Sequence, residues 1–213
     1  MVVPADRPLA VVTSASSGVG YELAGQFAKA GFDLIVAAED DGIAAAARAL
    51  EGFGGQAIPA QVDLSDYDDV ENLYLTIQAA ACPVAALAIN AQAGVGGDFV
   101  RDNQMADELR LVSLNATGTV HLTKRVLSGM LAHDYGSVLF TLPVTTTGPC
   151  NAIYSASTAF LRAFAAELAR ELADSSVTVT AITPVAGAAD ALGDAVASYV
   201  PVAGSPGRTM PVS

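Results

Sequence analysis

Positive charge is what this chain has little of. Ten Lys and Arg stand against 22 Asp and Glu, a formal net charge of −12 over 213 residues. Clustered cations are what hold nucleic acid and anionic membrane surfaces, so this balance argues against both as partners. Cysteine is scarce too. Cys82 and Cys150 are too few for a disulfide scaffold, and neither stands at metal-ligand spacing from His121 or His133. No uninterrupted apolar run reaches about 18 residues, so no membrane span is expected. Met1 to Arg7 carries Pro4 and Asp6 and lacks a basic-then-apolar export pattern, which makes the cytoplasm the expected location.

What is plentiful is apolar. Hydrophobic residues make up 52% of the chain, enough to fill the core of one domain over 1–213. Short β-branched runs alternate with longer Ala/Leu-rich ones. Strands are predicted at 9–12, 34–38, 57–62, 86–89, 137–141 and 177–182. Helices are predicted at about 19–30, ending at Gly31, and at 43–50, ending near Gly52 and Gly54-Gly55. A third runs from Asp66 to about Ala80 with Ser65 as its N-cap, a long one from Met105 to about Leu131, and a last one over 152–173. Strands alternating with helices imply α/β architecture, a doubly wound parallel sheet covered on both faces. Ligands of this Rossmann-type, three-layer arrangement bind beyond the carboxyl ends of the strands. The core is expected over about 9–184. A further helix is conceivable at 188–199, and the end, about 200–213, reads as irregular.

Two segments carry chemistry. Thr13-Ser14-Ala15-Ser16-Ser17-Gly18-Val19-Gly20 follows the first strand and opens a helix. A glycine-rich turn there lets the backbone approach a pyrophosphate, and the helix start offers free N–H groups and the positive dipole end. Glu39 and Asp40 follow the second strand, where an acidic side chain accepts from ribose hydroxyls and repels a 2′-phosphate, so NAD is expected over NADP. The other segment is Tyr154-Ser155-Ala156-Ser157-Thr158, at the start of the last helix.

Together these resemble the short-chain dehydrogenase/reductase family, whose patterns are T-G-x-x-x-G-x-G and Y-x-x-x-K. The resemblance covers about Leu9 to Pro184. It implies a nicotinamide-linked oxidoreductase acting on a carbonyl or alcohol of a small molecule. Tyr154 matches the acid–base residue and Asn115 the family's helix asparagine. Thr141, at the end of the fifth strand, is the best-placed hydroxyl to polarise a carbonyl. Thr13, Ser16, Ser17, Gly18, Val19 and Gly20 match the dinucleotide turn, Glu39 the ribose acceptor, and Asp63-Leu64 the pair beside the adenine. Asn90-Ala91-Gln92 aligns with the family's N-A-G, although Ala93-Gly94 can also be read as its Ala-Gly, and Pro184 matches the Pro of Pro-Gly. The family also implies a homo-oligomer paired through the helices near 105–131 and 152–173, and a seventh strand that is not found here.

Five departures fall on key positions: Ser14 for Gly, Gln92 for Gly, Leu142-Pro143 for Ser-Ser, Thr158 for Lys and Val185 for Gly. Ser14 is expected to strain the turn by about 1–3 kcal/mol if forced to positive φ. The Lys matters most, since free Tyr has a pKa near ~10. A unit charge ~4 Å away at an effective dielectric of ~20 contributes about 4 kcal/mol, roughly 3 pKa units. Arg162, about 12 Å further along the helix, is a poor substitute. Lys124 and Arg125 lie on another helix. Slow or atypical hydride transfer is therefore one expectation. The other is a catalytically dead member acting as a binding or oligomerisation partner. A halohydrin-dehalogenase-like chemistry needs Arg at position 158, which Thr158 argues against.

Overall fold

The computed structural model describes residues 7–90, 97–142 and 152–183. Three of its strands are buried from end to end: β1 (Leu9–Thr13), β2 (Asp33–Ala38) and, in chain order after β3 (Ala57–Gln61) and β4 (Val84–Asn90), β5 (Gly136–Thr141). Burial with no alternation means that both faces are covered, as in the interior of a parallel sheet. The last strand, β6 (Val177–Ile182), is buried only at Val177. All pairings are parallel and the order is β3-β2-β1-β4-β5-β6. Val11 pairs with Ile35 on one side and Leu87 on the other. The chain thus leaves β1 in both directions, and the crevice between the ends of β1 and β4 is the switch point at which such sheets bind ligands.

Alternate residues of each strand feed two cores. Leu9, Val11, Ile35, Leu87, Ile89 and Phe140 face one side, where they meet α3 (Tyr67–Ala79), α5 (Thr119–Ala132) and α6 (Ala152–Glu171). Ala10, Val12, Leu34, Val36 and Ala88 face the other, covered by α1 (Gly18–Lys29) and α2 (Ile43–Leu50). Small residues on this second face leave room for Phe27 and Phe32, which pack edge to face with centroids 5.2 Å apart. Burying each such ring contributes about 2–3 kcal/mol.

The helix ends follow their local chemistry. Gly31 takes φ +91° just after α1, and Gly54 takes φ +92° after the 3-10 turn Glu51–Phe53 that extends α2. The cap of α3 is not Ser65, as predicted, but Asp66. Its extended backbone lets the carboxylate accept from the N–H groups of Asp68 and Asp69 at 2.9 and 3.1 Å. Ser65 gives its hydroxyl to Asp63 instead, at 2.7 Å.

The predicted long helix from 105 is in fact two. α4 (Met105–Val112) passes into a π turn, Ser113–Gly118, before α5 begins. Gly118 explains the close fit of this turn: a Cβ there would overlap the carbonyl oxygen of Leu64, in the loop after β3. No helix among the described residues is long and apolar enough to cross a membrane. Six strands are present among the described residues, and the expectations for 188–199 and 200–213 lie outside them.

Candidate functional site

The glycine-rich turn is stitched to the end of β4. Thr13, fully buried, accepts the Asn90 N–H on its hydroxyl at 3.0 Å, and the Ser14 hydroxyl donates to the Asn90 carbonyl at 3.2 Å. Ser14 does sit at positive φ, +51°, as its place in the family's glycine position predicts. Gly18 also has positive φ, +57°. At Gly20 a Cβ would overlap the Ser14 carbonyl oxygen, so only glycine lets α1 start this close to the turn. Ser17 precedes α1 in extended conformation with no side-chain cap bond, and no acidic side chain lies in the first turn. The helix start is therefore open to an anion. Val19 is half-buried against the core, whereas the exposed Ser17 faces solvent. Ser16, matched to the dinucleotide turn, gives its hydroxyl to Asp40 at 2.6 Å.

An ionic cluster lines the next stretch of the crevice. Arg110, from α4, pairs with both Glu39 after β2 and Asp63 after β3, the latter at 2.9 Å. Asp63 also accepts the backbone N–H and hydroxyl of Ser65, at 2.8 and 2.7 Å. Burial pushes the Asp63 carboxyl upward, yet the Ser65 bonds and Arg110 outweigh it and hold it below the usual carboxylate range. Burial likewise works against the Arg110 charge, and Asp63 and then Glu39 more than offset it, raising its pKa. Leu64, beside Asp63, packs against the core. Sequence reading missed Arg110, whose partners Glu39 and Asp63 are both distant in the chain.

The other end of the crevice is built from β4, β5, the π turn and α6. Thr141 is buried and donates its hydroxyl to Asn90 Oδ1 at 2.5 Å. Asn90 thus joins Thr13, Ser14 and Thr141 in one network. Asn115 is buried within the π turn, and α6, which carries the buried Tyr154, packs against that turn. Thr158 donates to the carbonyl of Tyr154 at 3.0 Å, one turn back along α6. Its hydroxyl is absorbed by its own helix and brings no charge toward Tyr154. Arg162 and Lys124 are exposed, and Arg125 makes two bonds of 2.7 Å to Glu71. Leu142 is buried at the end of β5. Ala91, Gln92, Pro143, Pro184 and Val185 lie outside the described residues. Among those described, no group of three or more His, Cys, Asp or Glu side chains is arranged to hold a metal ion.

Comparison with known proteins agrees with this geometry. The family model for short chain dehydrogenase matches residues 8–199. A 3-oxoacyl-acyl-carrier-protein reductase from Synechocystis is 32% identical over 181 residues, covering 83% of this chain and 72% of that protein. Among solved structures, a metagenomic short-chain oxidoreductase in complex with NADP superposes with a TM-score of 0.78 at 27% identity, covering 89% of this chain and 88% of that one. A short-chain dehydrogenase from Sphingobium yanoikuyae in complex with NADPH has a TM-score of 0.77 at 26% identity, covering 89% and 83%. A parallel sheet in the order 3-2-1-4-5-6, an open helix start behind a glycine turn, and a match along nearly the whole chain lead to one conclusion: the protein belongs to the short-chain dehydrogenase family.

Proposed function

We propose that this protein is a nicotinamide dinucleotide-linked oxidoreductase that interconverts a carbonyl and an alcohol on a small molecule, with hydride transfer slowed by Thr158. The observation that carries this reading is the Asn90 network. It ties the glycine-rich turn to the hydroxyl at the end of β5, so that the dinucleotide half and the proposed reacting half of the crevice are joined through one hydrogen-bonded residue.

The residues fit the cofactor. The uncapped start of α1 with Gly18 and Gly20 suits a pyrophosphate, Asp63 and Leu64 suit the adenine side, and Glu39 the ribose. Asn90, with Ala91 and Pro184, is assigned to the nicotinamide side by the family pattern. A bound nicotinamide supplies or accepts the hydride. Tyr154 then gives or takes the proton at the substrate oxygen, Thr141 polarises that oxygen on leaving Asn90, and Asn115 supports the proton's path. The names of the relatives, a ketoacyl-type reductase among them, favour a carbonyl substrate.

Glu39 alone favours NAD(H), whereas the solved neighbours above are complexes with NADP or NADPH. We assign a homo-oligomer to the helices near 105–131 and 152–173, that is α4, α5 and α6.

Titration calorimetry with NADH and NADPH tests the reading, and binding of at least one is expected. No binding of either at millimolar concentration would end it. The Thr158 hydroxyl, bonded within its own helix, favours a second reading in that event, a binding partner without turnover. Within the first reading, Thr158→Lys should raise the alcohol oxidation rate at least about tenfold and move the acid limb of the pH–rate profile to lower pH. The added charge stabilises the tyrosinate that acts as base. Thr158→Met, similar in length and uncharged, should do neither.

A further inference from the structure

Glu39 was expected to exclude a 2′-phosphate, and that expectation holds only if its charge is unopposed. In the structure it is opposed. Arg110 reaches across from α4 and pairs with Glu39 and Asp63 together, and both bonds leave from the same nitrogen, Nη2. Among the described residues Nε and Nη1 make no bond, and the Arg110 side chain remains 38% exposed. A guanidinium carries five donors in a rigid fork suited to phosphate, and it stays charged at any working pH. Of the other acid groups, Asp40 accepts from the Ser16 hydroxyl and the Gly42 N–H at 2.6 and 3.0 Å, Asp41 is exposed, Asp69 accepts the Asp63 N–H at 2.8 Å, and Asp107 and Glu108 precede Arg110 on α4. Asp40 is thus tied to the glycine-rich turn.

We propose that Arg110 is a specificity-determining residue. It neutralises Glu39 and offers its unused donors to the 2′-phosphate, so that the chain accepts NADP(H) despite an acidic residue after β2. This rests on the oxidoreductase reading, since the dinucleotide must occupy the crevice for Arg110 to sort it.

Dissociation constants for NADH and NADPH, measured by calorimetry at two ionic strengths, test the assignment without any turnover. The wild-type protein should bind NADPH at least as tightly as NADH, with the steeper salt dependence for NADPH. Arg110→Met should weaken NADPH about tenfold, the scale of one partly screened charge, and change NADH less than about threefold. The double variant Arg110→Met/Glu39→Gln should recover most of that loss. Glu39→Gln alone, at an exposed position, should strengthen NADPH and weaken NADH, and it carries the test should Arg110→Met fail to fold.

An unchanged NADPH-to-NADH ratio in Arg110→Met, or in Glu39→Gln where that variant carries the test, overturns the role of Arg110 and leaves the oxidoreductase reading standing. So does a wild-type protein that binds NADH and excludes NADPH. Binding of neither dinucleotide overturns both.

Discussion

Ser14 shows how a glycine position can hold a side chain at small net cost. Its φ of +51° costs an L residue about 1–2 kcal/mol. Against this stand two gains. The hydroxyl bond to the Asn90 carbonyl contributes about 1 kcal/mol, and a serine surrenders less chain entropy on folding than glycine, worth about 0.5–1 kcal/mol. The two sides nearly cancel. Ser14→Gly should therefore change unfolding free energy by less than about 1 kcal/mol in urea denaturation; a gain above about 2 kcal/mol would mean that the serine stores real strain. Single residues were also where sequence reading reached its limit. Gly18, Gly20, Asn115 and Tyr154 could be singled out because each stands in a local pattern. Arg110 could not, because its partners Glu39 and Asp63 are 71 and 47 residues away and nothing in its own neighbourhood marks it.

At the level of elements, six strands and the helices between them were readable because burial on both sheet faces leaves continuous apolar runs, and one-sided burial leaves a helical period. The π turn was not. The apolar period runs through 105–131 unbroken, while the widening at Ser113–Gly118 coincides with the close approach of Gly118 to Leu64, about fifty residues upstream. The contact gives a clean comparison within one helical run. Gly118→Ala would drive a methyl into the Leu64 carbonyl and should destabilise by more than about 2 kcal/mol, like other overpacked sites. Gly129→Ala, further along α5 with open space around its Cα, should stabilise by about 0.5–1 kcal/mol. Thermal unfolding of the pair reads the difference directly, and equal effects would remove Gly118 from any special role. Ser65 and Asp66 illustrate a smaller miscue: adjacent capping residues cannot be ranked until the geometry shows which carboxylate or hydroxyl has another partner.

For the molecule as a whole, the surface left uncovered is informative. Ala152, Ser155, Ala156, Ala159 and Ala163 form an exposed small-residue face on α6, with Phe160 exposed at its edge. On α4, Met105 and Leu109 are 68% and 59% exposed. Helices bearing small residues can approach closely, which suits the proposed assembly of identical chains. Ala159→Glu should convert that assembly to monomers in light scattering while leaving the far-ultraviolet circular dichroism unchanged. A wild-type protein that is monomeric at the same concentration would remove the assignment.

The strand order has a consequence for how the chain reaches this state. β2 adds to β1, β3 to β2, β4 to the opposite flank of β1, β5 to β4 and β6 to β5. Each strand in turn therefore joins an open margin, and none has to be threaded between two that are already paired. A nascent chain emerging from its amino end can lay down β1, β2 and β3 as one ribbon and wait with the other flank of β1 bare until β4 arrives. The vulnerable interval in the life of this protein is that wait, when a strand buried end to end in the folded state lies unpaired along one side.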